Sequence, residues 1–162
     1  RDSKFFASKG HSVSAFDRST EAIEYCKRTY NGYGINFSKG TIFQLDGIGK
    51  TQYDVIYSRF VLHSMPQEEE VDVLIKSFDL LKNDGLMFIE CRSIDDQLAR
   101  KGSILSHSEK VEGHYRRFII LDELLDDLNF VGFKIIDSLE SKGLAVDAKE
   151  DPMVIRIQAV KP

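Results

Sequence analysis

The sequence predicts an α/β fold, with helices layered on a mostly parallel sheet and an antiparallel strand at the end of the chain. Three observations carry this expectation. Strand-like and helix-like patterns alternate along most of the 162 residues. Residues 86–91 are almost wholly apolar, as in a strand covered on both faces. Two β-rich runs, 133–140 and 153–160, close the chain, and the polar stretch 142–152 between them lets the second return antiparallel to the first.

Each element has its own reason. Residues 1–9 read as a helix ended by Gly10, because glycine takes the left-handed conformation that stops helices. Residues 13–17 form a short β-rich run ending in Asp17. Ser19 is placed to cap a helix over 20–30. Asn31-Gly32-Tyr33-Gly34 is turn chemistry, 35–37 a short strand broken at Lys39-Gly40, and Gly47-Ile48-Gly49 a further loop. Residues 53–58 make a compact strand. Pro66 opens a helix, where its missing N–H costs little, and Glu68, Glu69 and Glu70 suit the first-turn dipole. Val71, Leu74, Ile75 and Phe78 recur at helical spacing and are predicted to face the sheet. Asn83-Asp84-Gly85 is a turn. Asp122 is the expected cap of a last helix through Leu124, Leu125 and Leu128, ending near Gly132. Residues 92–118 carry no predicted element; a long polar segment inside a small domain is often functional.

Bulk properties narrow the classes. A hydrophobic content of 42% supports a single domain over 1–162. A net charge of −4 argues against a broad nucleic-acid surface, and no apolar stretch approaches the ~20 residues of a membrane span. Cys26 and Cys91 lack zinc-ligand spacing and suit a reducing, cytoplasmic setting, so no metal is expected.

Asp17 is the first candidate for chemistry. A carboxylate at a strand tip, followed by a helix, can accept hydrogen bonds from both hydroxyls of a ribose. Four segments then resemble, in order, the class I S-adenosylmethionine-dependent methyltransferases. They are the opening helix with Gly10-His11 and the run to Asp17; Tyr53-Asp54-Val55-Ile56-Tyr57-Ser58-Arg59-Phe60-Val61-Leu62-His63; Leu81-Lys82-Asn83-Asp84-Gly85, similar to that family's "LKPGG" turn before its fifth strand; and the last helix with Gly132-Phe133. The resemblance implies a Rossmann-like sheet with helices on both faces. It implies S-adenosylmethionine as cofactor, held by Asp17 and Arg18 at the ribose, Thr41 and Ile42 at the adenine, and Ser58 and Arg59 at the methionine end. Asp46 is the alternative to Thr41. The family's first strand and glycine loop are expected to precede Arg1 in a longer protein.

The substrate clue is Glu112-Gly113-His114-Tyr115-Arg116-Arg117-Phe118. Arginine forks bind carboxylate or phosphate bidentately, and tyrosine or histidine can orient a hydroxyl or take its proton. Tyr115, Arg116 and Arg117 are candidate substrate contacts, and His114 and His63 candidate bases. If the stretch is extended, His114 and Arg116 share one face, Tyr115 and Arg117 the other. His107 and Lys110 add positive charge. A salt-bridged edge strand explains the same residues. The expected reaction is methyl transfer to a small polar acceptor, such as a sugar or phosphorylated sugar hydroxyl. An NAD-dependent oxidoreductase, for which Asp17 serves equally, and a noncatalytic binding subunit remain open.

Overall fold

The computed structural model describes residues 1–44, 52–147 and 150–162. The chain divides into two compact units, Arg1–Lys50 and Thr51–Pro162.

In the first unit, helix α1 (Asp2–Ser8) ends where Gly10 takes φ +88°, with the Gly10 N–H donating to the Ala7 carbonyl at 3.0 Å. Strand β1 (Ser14–Asp17) pairs in parallel with β2 (Asn36–Lys39), which begins and ends later than the sequence suggests. Between them lies α2 (Thr20–Thr29). Ser19 caps it as expected, its hydroxyl accepting from the Ala22 N–H at 3.1 Å. Ile23 and Phe37 are the buried side chains that join helix to strands.

The second unit is built on a four-stranded sheet. Strand β3 (Tyr53–Arg59) runs parallel to β4 (Leu81–Arg92). Helix α3 (Gln67–Leu80) connects them. The segment predicted to lack elements forms its own antiparallel sheet, β5 (Ser103–Ile104), β6 (Glu109–Glu112) and β7 (His114–Arg117). Then come α4 (Leu121–Val131), β8 (Lys134–Ser141) and β9 (Val154–Val160). The sheet order is β3-β4-β9-β8, with β9 antiparallel to both neighbours. Met87, Ile89 and Cys91 on β4 are fully buried, with Leu74, Leu124 and Leu128 from the covering helices. No helix among the described residues is long and apolar enough to cross a membrane.

Two details of the sequence reading change. Helix α4 has Ile120, not Asp122, at its N-cap, with no side-chain cap; Asp122 lies in the first turn, where its charge still suits the dipole. On α3 the buried stripe is Glu70, Val73, Leu74, Ser77 and Leu80, while Ile75 is 42% exposed. Counting apolar residues missed this because two members of the true stripe are polar. Both are satisfied locally: Glu70 meets Arg117, and the Ser77 hydroxyl donates to the Val73 carbonyl at 2.7 Å.

The turn before the fifth family strand is a bulge within β4. As β3 advances from Tyr53 to Val55, β4 advances from Leu81 to Leu86. Asp84 sits there at φ +61°, a conformation that glycine takes freely and aspartate tolerates. Its N–H donates to the Lys161 carbonyl at 2.8 Å. Lys161 in turn donates through Nζ to the Phe78 and Leu81 carbonyls at 2.8 and 2.9 Å, closing the end of α3. At Gly85 an added Cβ would stand 2.7 Å from the Lys82 carbonyl oxygen and 3.1 Å from Leu81. Gly85→Ala is therefore expected to lower unfolding free energy by about 1–3 kcal/mol, whereas Asp84→Gly should cost little. Urea unfolding of the two variants checks the contrast; equal stability would show that the bulge relaxes freely.

Candidate active site

The parallel pair β3–β4 fixes where the site lies in the second unit. Side chains at the carboxyl ends of parallel strands face the customary ligand crevice of open α/β sheets. Beyond β3 the Phe60 N–H donates to the Glu90 carbonyl at 2.7 Å, and Phe60 adopts φ +56°. Positive φ is unusual for a bulky residue, and such backbone strain concentrates at functional sites. The chain then makes a single 3₁₀ turn, Leu62–Ser64, that presents His63. Strand β4 ends in Arg92. Strand β7 brings His114, Tyr115 and Arg116 to the same place. Together with Phe60, His63 and Ser64 these residues line a cavity of about 270 Å³.

The charges around it are mostly neutralised, with one exception. Arg92 is held by Asp96 at 3.2 Å and by Glu150 at 2.6 Å. Arg117, a predicted substrate contact, is instead buried: it pairs with Glu70, and its Nε donates to the Met65 carbonyl at 3.2 Å. It is removed from the cavity because the pleat turns it to the side opposite Arg116. Burial pushes the Glu70 carboxyl up, and Arg117 pulls it back. Arg116 has no carboxylate partner among the described residues; its Nη2 donates to His114 Nε2 at 2.7 Å. Arginine can only donate, so His114 Nε2 accepts and the proton of the neutral ring sits on Nδ1. That leaves the expected base His114 with its Nε2 lone pair already engaged.

His63 is in a different state. Burial is the main force holding its pKa down to about 4, helped by the positive charges of Arg92, Arg116 and Arg117. It is neutral at physiological pH, and its Nδ1 is buried with no hydrogen-bond partner among the described residues. Tyr115 borders the cavity, but its hydroxyl donates to Glu109 at 2.6 Å. Burial, then Glu109, raises its pKa, so it stays protonated. Lys110 is buried within the hairpin and His107 is exposed, and neither lines this cavity.

The sequence missed three lining residues. Arg92 could have been found from its place at the carboxyl end of a parallel strand, the same rule that singled out Ser58 and Arg59. Phe60 and Ser64 gave no signal, because what matters is Phe60's backbone conformation. Ser58 is buried in β3. Arg59 is tied to Glu90 at 2.7 Å and lies over the Phe60 ring.

The first unit holds the adenosine candidates. Asp17 ends β1 with its side chain exposed, and one carboxylate oxygen accepts from the Ser19 N–H at 2.8 Å. A carboxylate has about four lone-pair positions, so acceptor capacity remains for a diol. On the neighbouring strand end the Gly40 N–H donates to the Asp17 carbonyl at 2.9 Å, followed by half-buried Thr41 and buried Ile42. Arg18 is exposed beside Asp17. An exposed carboxylate at a strand end, beside a hydroxyl and an apolar side chain, is a set of groups that fits adenosine. Asp46 lies outside the described residues.

Known proteins give a consistent result. The methyltransferase-domain family matches residues 1–85. No curated protein matches this sequence. Among solved structures, an S-adenosylmethionine-dependent methyltransferase from Methanosarcina mazei is similar with a TM-score of 0.82 and 18% identity, over 97% of this chain and 85% of that one. A TehB-like S-adenosylmethionine-dependent methyltransferase from Corynebacterium glutamicum gives a TM-score of 0.70 at 17% identity, over 100% and 74%. The 1,6-didemethyltoxoflavin-N1-methyltransferase of Burkholderia thailandensis, solved with S-adenosylhomocysteine, gives a TM-score of 0.70 at 22% identity, over 99% and 66%. These matches set aside the oxidoreductase reading: the chain belongs to the methyltransferase-domain family and has the fold of S-adenosylmethionine-dependent methyltransferases.

Proposed function

We propose that this protein transfers a methyl group from S-adenosylmethionine to a hydroxyl of a small anionic acceptor, of the sugar or phosphorylated-sugar class. The observation that carries this is the pairing, in one cavity, of a neutral half-buried histidine with a guanidinium that has no carboxylate partner among the described residues. The first serves a hydroxyl and the second an anion. When bound, S-adenosylmethionine supplies an electrophilic methyl that needs only an aligned nucleophile.

An alcohol is a poor nucleophile until its proton is removed, which is where His63 enters. Kept neutral by burial and nearby cations, it has one ring nitrogen with a lone pair, and because Nδ1 is enclosed the task of taking that proton falls to Nε2. The same cations oppose the imidazolium, so the proton must pass on to solvent after each turnover. Arg116 binds the acceptor's carboxylate or phosphate through its fork, with His114 holding the guanidinium in place. The faces of Phe60 and Tyr115 offer apolar area to a ring. Asp17, with Arg18 beside it, holds the ribose of the cofactor, and Thr41 and Ile42 the adenine.

Two measurements test the reading. Calorimetry should detect S-adenosylhomocysteine binding, weakened by about 1.5–3 kcal/mol in Asp17→Ala and by roughly 0.5–1.5 kcal/mol in Thr41→Val. A folded Asp17→Ala protein with an unchanged Kd removes Asp17 from the site, and no binding to the wild type removes the donor.

The second is a pH effect. His63 has a folded pKa of about 4, against roughly 6.5 in the unfolded chain. Its contribution to stability is therefore present above pH ~6.5 and lost as pH falls towards 4, on the order of 3 kcal/mol in all. Urea unfolding at pH 7 and 4.5 should show a smaller acid loss in His63→Asn than in the wild type. Identical losses would mean that His63 titrates normally and is not held neutral.

A further inference from the structure

We infer that the buried Glu70–Arg117 pair is a positioning device that sets the His63 turn and the Arg116 strand at a fixed spacing; the inference rests on the acceptor pocket proposed above. Arg117 is the last residue of β7, next to the cavity-lining Arg116 but turned the other way. Its guanidinium reaches two acceptors on different parts of the chain. Nε donates to the carbonyl of Met65, the residue that ends the 3₁₀ turn carrying His63 and Ser64. Nη2 donates to Glu70 on α3. Beyond Arg117, the Ile119 N–H donates to the Arg92 carbonyl at 2.9 Å, so the same stretch also grips the end of β4.

The chemistry suits positioning better than stabilisation. With side-chain exposures of 4% and 2%, both charges have left water. Buried pairs of this kind seldom stabilise more than apolar residues of equal volume. What the pair supplies is a planar, rigid fork whose two donors fix two acceptors in one geometry. The Met65 carbonyl is one residue from the cavity-lining Ser64, Arg117 itself follows the cavity-lining Arg116, and Glu70 anchors the guanidinium between them to α3. The distance between the proton acceptor His63 and the anion ligand Arg116 is thus set from behind, by a residue that touches neither substrate nor cofactor.

Length and charge can be separated by substitution. Glu70→Gln keeps the reach and a carbonyl-type acceptor but loses the charge. Glu70→Asp keeps the charge and shortens the reach. Arg117→Lys keeps the charge but cannot serve both acceptors. Two readouts apply to the whole protein with its fold verified by near-UV circular dichroism. One is the affinity of inorganic phosphate, followed by ring NMR of His114. The other is the titration midpoint of His63, assigned among the four histidines with single His→Gln variants. We expect phosphate binding to weaken about tenfold in Glu70→Asp and Arg117→Lys, the His63 midpoint to move with it, and Glu70→Gln to stay close to wild type. Should Glu70→Gln not fold, the two shortened or unforked variants decide alone. Wild-type behaviour in those two overturns the inference, as does loss in Glu70→Gln with Glu70→Asp unchanged. A wild type that fails to bind phosphate defeats the anionic-acceptor reading instead, and the positioning role is then judged on the His63 midpoint.

Discussion

The second unit depends on a carboxylate that has no way out. Glu90 is 5% exposed on β4, the strand flanked by β3 and β9. It lies between Arg59 on β3, at 2.7 Å, and Arg156 on β9, at 2.6 Å. The register puts the three residues side by side. A slip of one residue would turn Glu90 onto the face of Met87, Ile89 and Cys91, where an unpaired charge has no partner and no water. The triad therefore locks three strands in one alignment. That alignment decides where β3 ends, and so where Phe60 turns and where His63 is presented. The Phe60 N–H bonds to the carbonyl of the same Glu90. One residue thus specifies the register through its side chain and starts the cavity through its backbone.

The same logic sorts the arginines. Arg59 and Arg156 share Glu90, Arg92 has Asp96 and Glu150, and Arg117 has Glu70. Each is paired with a nearby carboxylate, which weakens its pull on a ligand. Arg116 is held by a neutral imidazole, which orients it without cancelling its charge. Of the two arginines that border the cavity, Arg116 is therefore better placed than Arg92 to attract an anion.

Much of the fold was legible because its signals are local. Ser19 as a cap, Gly10 and Gly132 as stops, and the order of strands all come from short-range chemistry, and each stands in the structure. The site was legible in part. His63, His114 and Arg116 were named and meet in one cavity, and the pleat placed His114 beside Arg116. Arg117 was misread because its partner is 47 residues away, and nothing in its own neighbourhood marks it as buried. The same long-range pair hid Glu70 within an acidic run read only as complementing the helix dipole. Of the β5–β6–β7 sheet only β7 was foreseen, as the alternative of a salt-bridged edge strand; β5 and β6 are short and polar, so that periodicity had little to register.

The two histidines show how environment divides roles that the sequence left equal. Both are imidazoles within reach of cations, and both were candidate bases. His114 is exposed on a hairpin strand, and its Nε2 lone pair is spent on Arg116, the hydrogen bond that keeps the guanidinium in place. To act as a base there it would have to release the arginine proposed to bind the acceptor, so the two tasks conflict. His63 carries no such obligation. It is half-buried in a turn, its enclosed Nδ1 has no partner among the described residues, and desolvation, helped by the neighbouring cations, keeps the ring unprotonated. Those cations weaken it as a base at equilibrium, yet they also ensure that it is in its basic form whenever an acceptor arrives. A general base works best with a pKa near the operating pH, so a pKa of about 4 limits what His63 contributes as a proton acceptor; with an electrophile already activated, alignment of the acceptor carries the larger share. In the proposed reaction the proton goes to His63 and the anion to Arg116, with His114 as the support of the second.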